Sequence, residues 1–502
     1  MMNPFDGLLG EILATLATLF VVAVGILVLV VVAMFIADVM QTKDAIRKNY
    51  PVVGRFRYLF STLGEFFRQY FFAMDREEMP FNRAEREWVY RSSAGGDNTV
   101  AFGSTKNLSP PGTAIFVNCP YPTLDEDAEA TPAVVIGPYC AKPYEAQSII
   151  NISGMSYGAI SRPAVKALSR GAKLANCWLN TGEGGLSPYH LEGGCDIVFQ
   201  IGTAKYGVRD EDGGLSDAKL REIAGHDQVR MFELKLSQGA KPGKGGILPA
   251  AKVTQEIAKI RGIKHGHDSI SPNRHPEIDS NGELLDMIRH IREITGKPVG
   301  FKCVLGAYAW LEAMCIEIND RGIENAPDFI AIDSGDGGTG AAPMPLMDNV
   351  GLPIRQSLPM VVDILIRHGL RDRIKVIVSG KLITPADVAW AYCAGTDFVT
   401  SARGFMFALG CIQALKCNKN TCPTGITTHD RRLQRGLDPR DKAQRVNNFV
   451  AKIRYGVGVI AHSCGARHPR ALKRYHVRLM QSDGRSTPLD ELYPYPQADA
   501  AE

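Results

Sequence analysis

The 502-residue chain has little net charge, +4 in all. No long basic run with interleaved aromatics occurs, which argues against a nucleic-acid partner. There is no internal repeat and no low-complexity tract, and a disordered tail is expected only in the closing QADAAE. The leading flank lacks the basic residues of a cleaved secretory signal and carries Asp6 and Glu11 instead. What the chain does have is a globular composition, 45% hydrophobic and 22% charged. Its length suits one large domain with appendages, or two to three ordinary ones.

One apolar run stands apart. From Ile12 to Ala37 the sequence carries no charge, and as a helix it covers the roughly 30 Å of a bilayer's hydrocarbon with length left for tilt. A buried helix of a soluble protein is the alternative. Lys43, Arg47, Lys48, Arg55 and Arg57 follow at once, so the positive-inside rule places the body in the cytoplasm. The expectation is a single-pass membrane anchor over 1–41, then a membrane-proximal helical segment over 42–94. That segment is aromatic and basic, and suits a helix lying on lipid head groups or one packed on the main domain.

A cytoplasmic body is a reducing setting, where the eleven cysteines are not expected to pair as disulfides. Eight are scattered and read as small core residues. Cys411, Cys417 and Cys422 crowd one loop, C-x5-C-x4-C, with Pro423 directly after. Such clustering points to metal or catalysis.

From 95 to 145 the pattern is short and strand-like, in NTVAFGST, AIFVNCP and PAVVIGP. Then apolar runs ending in Gly, Ser, Lys or Asp alternate with helical segments. The runs are 148–156, 177–185, 196–202, 229–239, 267–272, 297–304, 328–338, 374–381 and 397–404. Alternation on this scale implies a parallel sheet. Polar residues at nearly every strand end favour a (β/α)8 TIM barrel, an α/β fold, over an open doubly wound sheet. Nine candidates are one too many, and the extra is expected among the first three. The barrel is placed at 95–410, the cysteine loop at 411–425 and a C-terminal helical extension at 426–502.

GDGGTG (335–340) fits G-x-G-x-x-G after a strand. However, Pro343 and Pro345 stand where a dinucleotide-binding helix would begin, and Asp336 sits where pyrophosphate would lie. Close backbone approach to a flat ligand at Gly337 and Gly338 is the better use of these glycines. Phosphate is better served after the last two strands, by Gly380 and Lys381 before the helix at Thr384–Pro385, and by Arg403 and Gly404. Ordinary helix-flanking glycines are the plainer alternative. Lys235 and Lys302 each end a mostly apolar strand and call for an anionic partner. The flexible QGAKPGKGG (238–246) reads as an active-site loop.

The ordered motifs GMSYGAIS, NTGEGG, KLSQGAKPGKGGILP, DSISP, DSGDGGTGAAP and C-x5-C-x4-C-P resemble the FMN-binding synthase domain of glutamate synthases, over about 95 to 450. The resemblance implies a barrel that holds FMN, with Met155, Ser156, Lys302 and Asp336 among its contacts. It also implies a 3Fe-4S cluster on Cys411, Cys417 and Cys422, three thiolates suiting a cuboid that lacks one iron. Zinc with His429 as fourth ligand is the alternative. The implied reaction is reductive amination of 2-oxoglutarate through 2-iminoglutarate. Lys235, Gln238 and Lys241 would hold the substrate carboxylates and Glu183 would move protons.

The chain departs from that family in several ways. It begins MMNPF, with no amidotransferase segment ahead of the apolar run, and Lys244 stands where the family commonly has glutamate. No FAD or NADPH site is evident. Nitrogen is therefore expected from ammonia, an amine or a separate amidotransferase subunit, and electrons from a ferredoxin or a membrane-linked donor. An N-methylglutamate-type synthase, a flavin and iron–sulfur electron-transfer protein without substrate chemistry, and an FMN oxidoreductase of another substrate are the alternatives.

Overall fold

The structure, a computed structural model, describes residues 4–496; QADAAE lies outside the described residues. The chain divides into two compact units, one through Arg83 and one from Ala84.

In the first unit, helix α1 (Pro4–Met40) contains a stretch, Leu9–Met40, long and apolar enough to cross a membrane, whose apolar residues are not buried. A short helix, Ala45–Asn49, follows; Asp44 caps it by accepting from the N–H groups of Ile46 and Arg47. Helix α2 (Val53–Phe67) comes next. Gly54 is required at the crossing of these two helices, because a Cβ there would stand 3.0 Å from the Ile46 carbonyl oxygen.

In the second unit, eight parallel strands close into a barrel. They are β1 (Ile150–Ile152), β2 (Leu179–Asn180), β3 (Ile197–Ile201), β4 (Val229–Lys235), β5 (Val299–Val304), β6 (Phe329–Asp333), β7 (Lys375–Ser379) and β8 (Phe398–Ser401). Closure comes from β8 on β1, where Val399 faces Ile150 and Ser401 faces Ile152. Both faces of such strands are covered, which is why IVFQI and FIAID are buried throughout. Phe199 and Phe232 are register partners whose rings meet edge to face at 5.8 Å. The alternate residues fill the barrel. Trp178, Val198, Met231, Ala331, Ile377 and Phe398 form one buried cluster with Ile136, Tyr144 and Ala146. Those last three come from an antiparallel hairpin, Val134–Ile136 on Tyr144–Ala146, which plugs the end where the strands begin.

The expectation that the surplus strand lies among the first three candidates is wrong, since all three enter the barrel. The surplus is HDSISP, where Ser269–Ile270 pairs antiparallel with Ile247–Leu248 between β4 and β5. Its one apolar residue, Ile270, is exposed, so it has nothing to put into a barrel wall. NTVAFGST forms no strand either. Val100 and Phe102 are exposed, and Phe102 adopts a φ of 69°, which interrupts any extended run. The C-terminal extension is not helical throughout: Val477–Met480 and Ser486–Pro488 join Ala114–Phe116 in a three-stranded antiparallel sheet.

Four further helices position the mouth: α3 (Arg162–Leu174), α4 (Pro385–Cys393), α5 (Arg403–Ala408) and α6 (Pro439–Ser463). Ser161 caps α3 and Pro163 occupies its first turn. Helix α6 lies across α3 at Gly171, where an added Cβ would stand 2.5 Å from Val446 Cβ.

Candidate active site at the barrel mouth

The period-two alternation that turns Val198 and Met231 into the barrel carries Gln200, Glu233 and Lys235 inward one and two steps later. A cavity results, lined by Ser153, Asn180, Glu233, Lys302, Ser379 and Thr400 above a floor that includes Trp178, Val198, Met231 and Ile377. Asn180 and Gln200 each donate to Glu233 Oε1, at 2.9 and 2.6 Å. The buried Glu233 carboxylate is thereby hydrogen-bonded.

Glu183, on the loop after β2, pairs with Lys235 Nζ at 2.8 Å, both side chains nearly buried. Lys235 also donates to Gln238 Oε1, and Gln238 Nε2 donates to Thr339 Oγ1 at 3.0 Å. Space for the carboxylate depends on two glycines. A Cβ on Gly202 would stand 2.7 Å from Glu183 Oε2, and one on Gly246 2.6 Å from Oε1. Burial opposes the charge on Glu183, but Lys235 and then Lys241 hold its carboxyl below the usual range. Lys241 is buried too. Burial first, and the neighbouring Lys235 next, bring its pKa down to about 8. The structure thus brings Glu183, Lys235, Gln238 and Lys241 together.

The second group sits on β5 to β7. Lys302 Nζ lies 3.1 Å from Asp333 Oδ2, which also accepts from the Gly239 N–H at 3.0 Å; Asp333 Oδ1 accepts from Ser379 Oγ at 2.6 Å. Burial works against the Lys302 cation, but Asp333 and Glu233 outweigh it and hold its pKa above the usual value. Burial likewise opposes ionisation of Asp333, and Lys302, Ser379 and Gly239 overcome it. Both strand-end lysines therefore have carboxylate partners within the chain.

The third group joins Asp336 to Lys381 at 2.8 Å, with Ser334 Oγ donating to the same carboxylate. Burial lowers the Arg403 pKa, and the nearby Asp333 and Asp336 carboxylates offset it only in part. The glycines here face protein as well. An added Cβ on Gly337 would stand 2.8 Å from the Ser334 carbonyl oxygen, on Gly338 2.7 Å from Arg403 Nε, and on Gly380 2.1 Å from Ser334 Cβ. Gly404 is tight against Phe449 of α6, at 3.0 Å. The first turn of α4 is closed by a capping box of Thr384 and Asp387. Met155 and Ser156 meet Gly182, whose φ of +65° and missing side chain let the two loops touch.

The cysteine loop is laced to this β1 loop. His429 Nε2 is 2.8 Å from the Gly158 carbonyl oxygen, the Ser161 N–H donates to Ile426 O at 2.7 Å, and Lys252 Nζ donates to Ala159 O at 2.8 Å and Cys417 O at 3.3 Å. His429 therefore has only Nδ1 left for a zinc ion. Left-handed backbone at Gln413, Leu415 and Asn420 winds the loop. Burial pushes the Cys411 thiol up to about 12 and raises that of Cys417. Burial acts the same way on Cys422, but hydrogen bonds from Thr424 and Thr427 bring its thiol below the usual value. Among the described residues no three His, Cys, Asp or Glu side chains converge as a site for a metal ion.

Sequence reasoning did not single out Glu233, Asp333, Asn180, Lys252 or Arg261. Glu233 and Asp333 did carry a signal, each as the one carboxylate of its mostly apolar strand. Arg261, buried with its guanidinium 5.1 Å from the Tyr206 ring centroid, carried none.

The conserved region in glutamate synthase matches residues 110–467. The chain is 39% identical to the glutamate synthase large subunit-like protein YerD of Bacillus subtilis, over 91% of this chain and 94% of that one. It is 34% identical to the archaeal glutamate synthase [NADPH] of Methanocaldococcus jannaschii, over 66% of this chain and 61% of that protein. Among solved structures, a flavocytochrome b2 variant with sulfite bound superposes with a TM-score of 0.46 at 13% identity, over 89% of this chain and 92% of that one.

Proposed function

Because the chain belongs to the glutamate synthase family, we propose that it is a glutamate synthase-type oxidoreductase that reductively aminates 2-oxoglutarate with ammonia or an amine. The observation that carries this reading is the buried Glu183–Lys235 pair with Lys241 beside it, a carboxylate and two amines facing one polar mouth. Lys241 and Gln238 bind the substrate carboxylates. Glu183, ionised at rest, relays two protons in turn from the attacking nitrogen to the keto oxygen, first to form the carbinolamine and then to release water, leaving 2-iminoglutarate. Lys235 keeps that carboxylate charged and fixes where it points.

The residues present suit FMN. Lys302 supplies a buried cation beside amide-bearing walls, and Lys381 and Arg403, whose present partners include Asp336, are the cations at the place for a phosphate. Bound there, FMN would supply hydride chemistry for reducing an imine. A 3Fe-4S cluster would be held by the three thiols of the 411–425 loop, drawn closer together than they stand here, and would supply single electrons. The electron donor is a ferredoxin or another one-electron carrier, and a separate amidotransferase subunit is one source of ammonia. Helix α1 anchors the chain in a membrane by a single pass, with the body on the cytoplasmic side.

Dithionite-reduced protein mixed with 2-oxoglutarate and either nitrogen-labelled ammonium or methylamine tests the reading by product mass. Labelled glutamate or N-methylglutamate supports it, and no product from either amine contradicts it.

A further inference from the structure

Helix α2 has an exposed apolar face. Phe56, Leu59, Phe60, Leu63, Phe66 and Phe67 recur at three- and four-residue spacing, and each is exposed by at least a third. The opposite face carries Arg57, Ser61, Glu65 and Arg68. A soluble helix buries such a stripe.

The occupant is indicated by what precedes it. Asp38, in the last turn of α1, is fully buried although it belongs to a helix whose apolar residues are exposed. Its carboxylate is 2.6 Å from Arg47 Nη2 and 2.8 Å from Arg55 Nε, and it accepts from the Val52 N–H at 3.0 Å. Val52 is β-branched, yet it adopts a φ of 66° and a ψ of −58°. The Val53 N–H donates to Pro51 O at 2.7 Å across it, a strained γ-turn. One carboxylate thus grips the chain at three points and bends it between α1 and α2. Asp38 follows directly on the uncharged run that ends at Ala37, so with α1 across a bilayer it sits where hydrocarbon gives way to head groups.

We infer that Asp38 is a membrane-boundary clamp that lays the aromatic face of α2 on the lipid surface. The inference rests on the reading of α1 as a membrane span. The apolar stripe enters the acyl boundary while Arg57 and Arg68 stay among the head groups. The grip on Arg47 and Arg55 removes the freedom that would let α2 swing into water.

The full chain in phosphatidylcholine vesicles, some with brominated acyl chains, provides the test. Tryptophan is placed singly by Phe60→Trp or Phe67→Trp on the apolar face and by Ser61→Trp or Glu65→Trp opposite. The signal of the four native tryptophans is subtracted using the parent protein. Bromine is expected to quench the first pair severalfold more than the second. Asp38→Ala is expected to abolish the difference while leaving attachment resistant to alkaline carbonate. Gly54→Val, which forces a side chain onto Ile46, is expected to do the same. Equal quenching on both faces, or an unchanged difference in both variants, overturns the clamp. Extraction of the parent protein by carbonate overturns the membrane span itself, and the clamp with it.

Discussion

Replacing Lys302 with methionine removes a buried cation and keeps most of its volume. The Asp333 carboxylate is then left without its ion-pair partner at 3.1 Å, inside a mouth where both side chains are about nine-tenths buried. Removing one member of such a pair costs about 3–5 kcal/mol, because the other charge stays buried and unpaired. Here the lower end applies, since Ser379 and the Gly239 N–H still donate to Asp333. For a body of this size that is a fall in Tm of about 3–4 °C. The measurement is thermal unfolding of the detergent-solubilised chain with flavin removed, so that cofactor linkage does not enter. In Lys302→Met with Asp333→Asn the buried charge is gone, and most of the loss returns, leaving about 1 kcal/mol. FMN affinity does not return, because both variants lack the cation proposed to face the flavin. A single variant as stable as the parent, or a double variant no better than the single, refutes the electrostatic reasoning. Full FMN affinity in either refutes the role given to Lys302.

Glu183→Gln keeps the shape but cannot accept a proton, so turnover is expected to fall about 10²–10⁴-fold with flavin content unchanged, by absorbance and steady-state assay. Lys241, with its pKa lowered to about 8, is cationic below that pH and loses its charge above it. The KM for 2-oxoglutarate is therefore expected to rise up to about tenfold per pH unit above the break. Lys241→Arg, which stays charged, is expected to flatten the profile. Cys417→Ser is expected to lower iron content while flavin absorbance holds; iron unchanged by metal analysis contradicts the assignment of that thiol.

The barrel was legible because its strands are apolar runs with polar ends, a pattern that helix packing on both faces of a parallel sheet requires. HDSISP misled because its flanking turn residues resemble a strand boundary, although a single isoleucine cannot fill a wall. The positions of Glu183, Lys235, Lys302 and Arg403 at the mouth followed from strand ends and loops. Their partners did not. Lys302 meets Asp333 because β5 and β6 lie parallel in a register that sets Val304 beside Asp333, and register is a property of the closed sheet. The bend at Asp38 was hidden for a similar reason: nothing local marks Val52 for a left-handed backbone, and the groups that hold it there lie up to seventeen residues apart in sequence.

The most direct test of the account is stopped-flow absorbance of anaerobically purified, pre-reduced protein mixed with 2-oxoglutarate and ammonium. The account predicts a yellow, iron-containing protein whose flavin reoxidises only when both substrates are present. A colourless protein, or a reduced flavin that the pair leaves untouched, contradicts it.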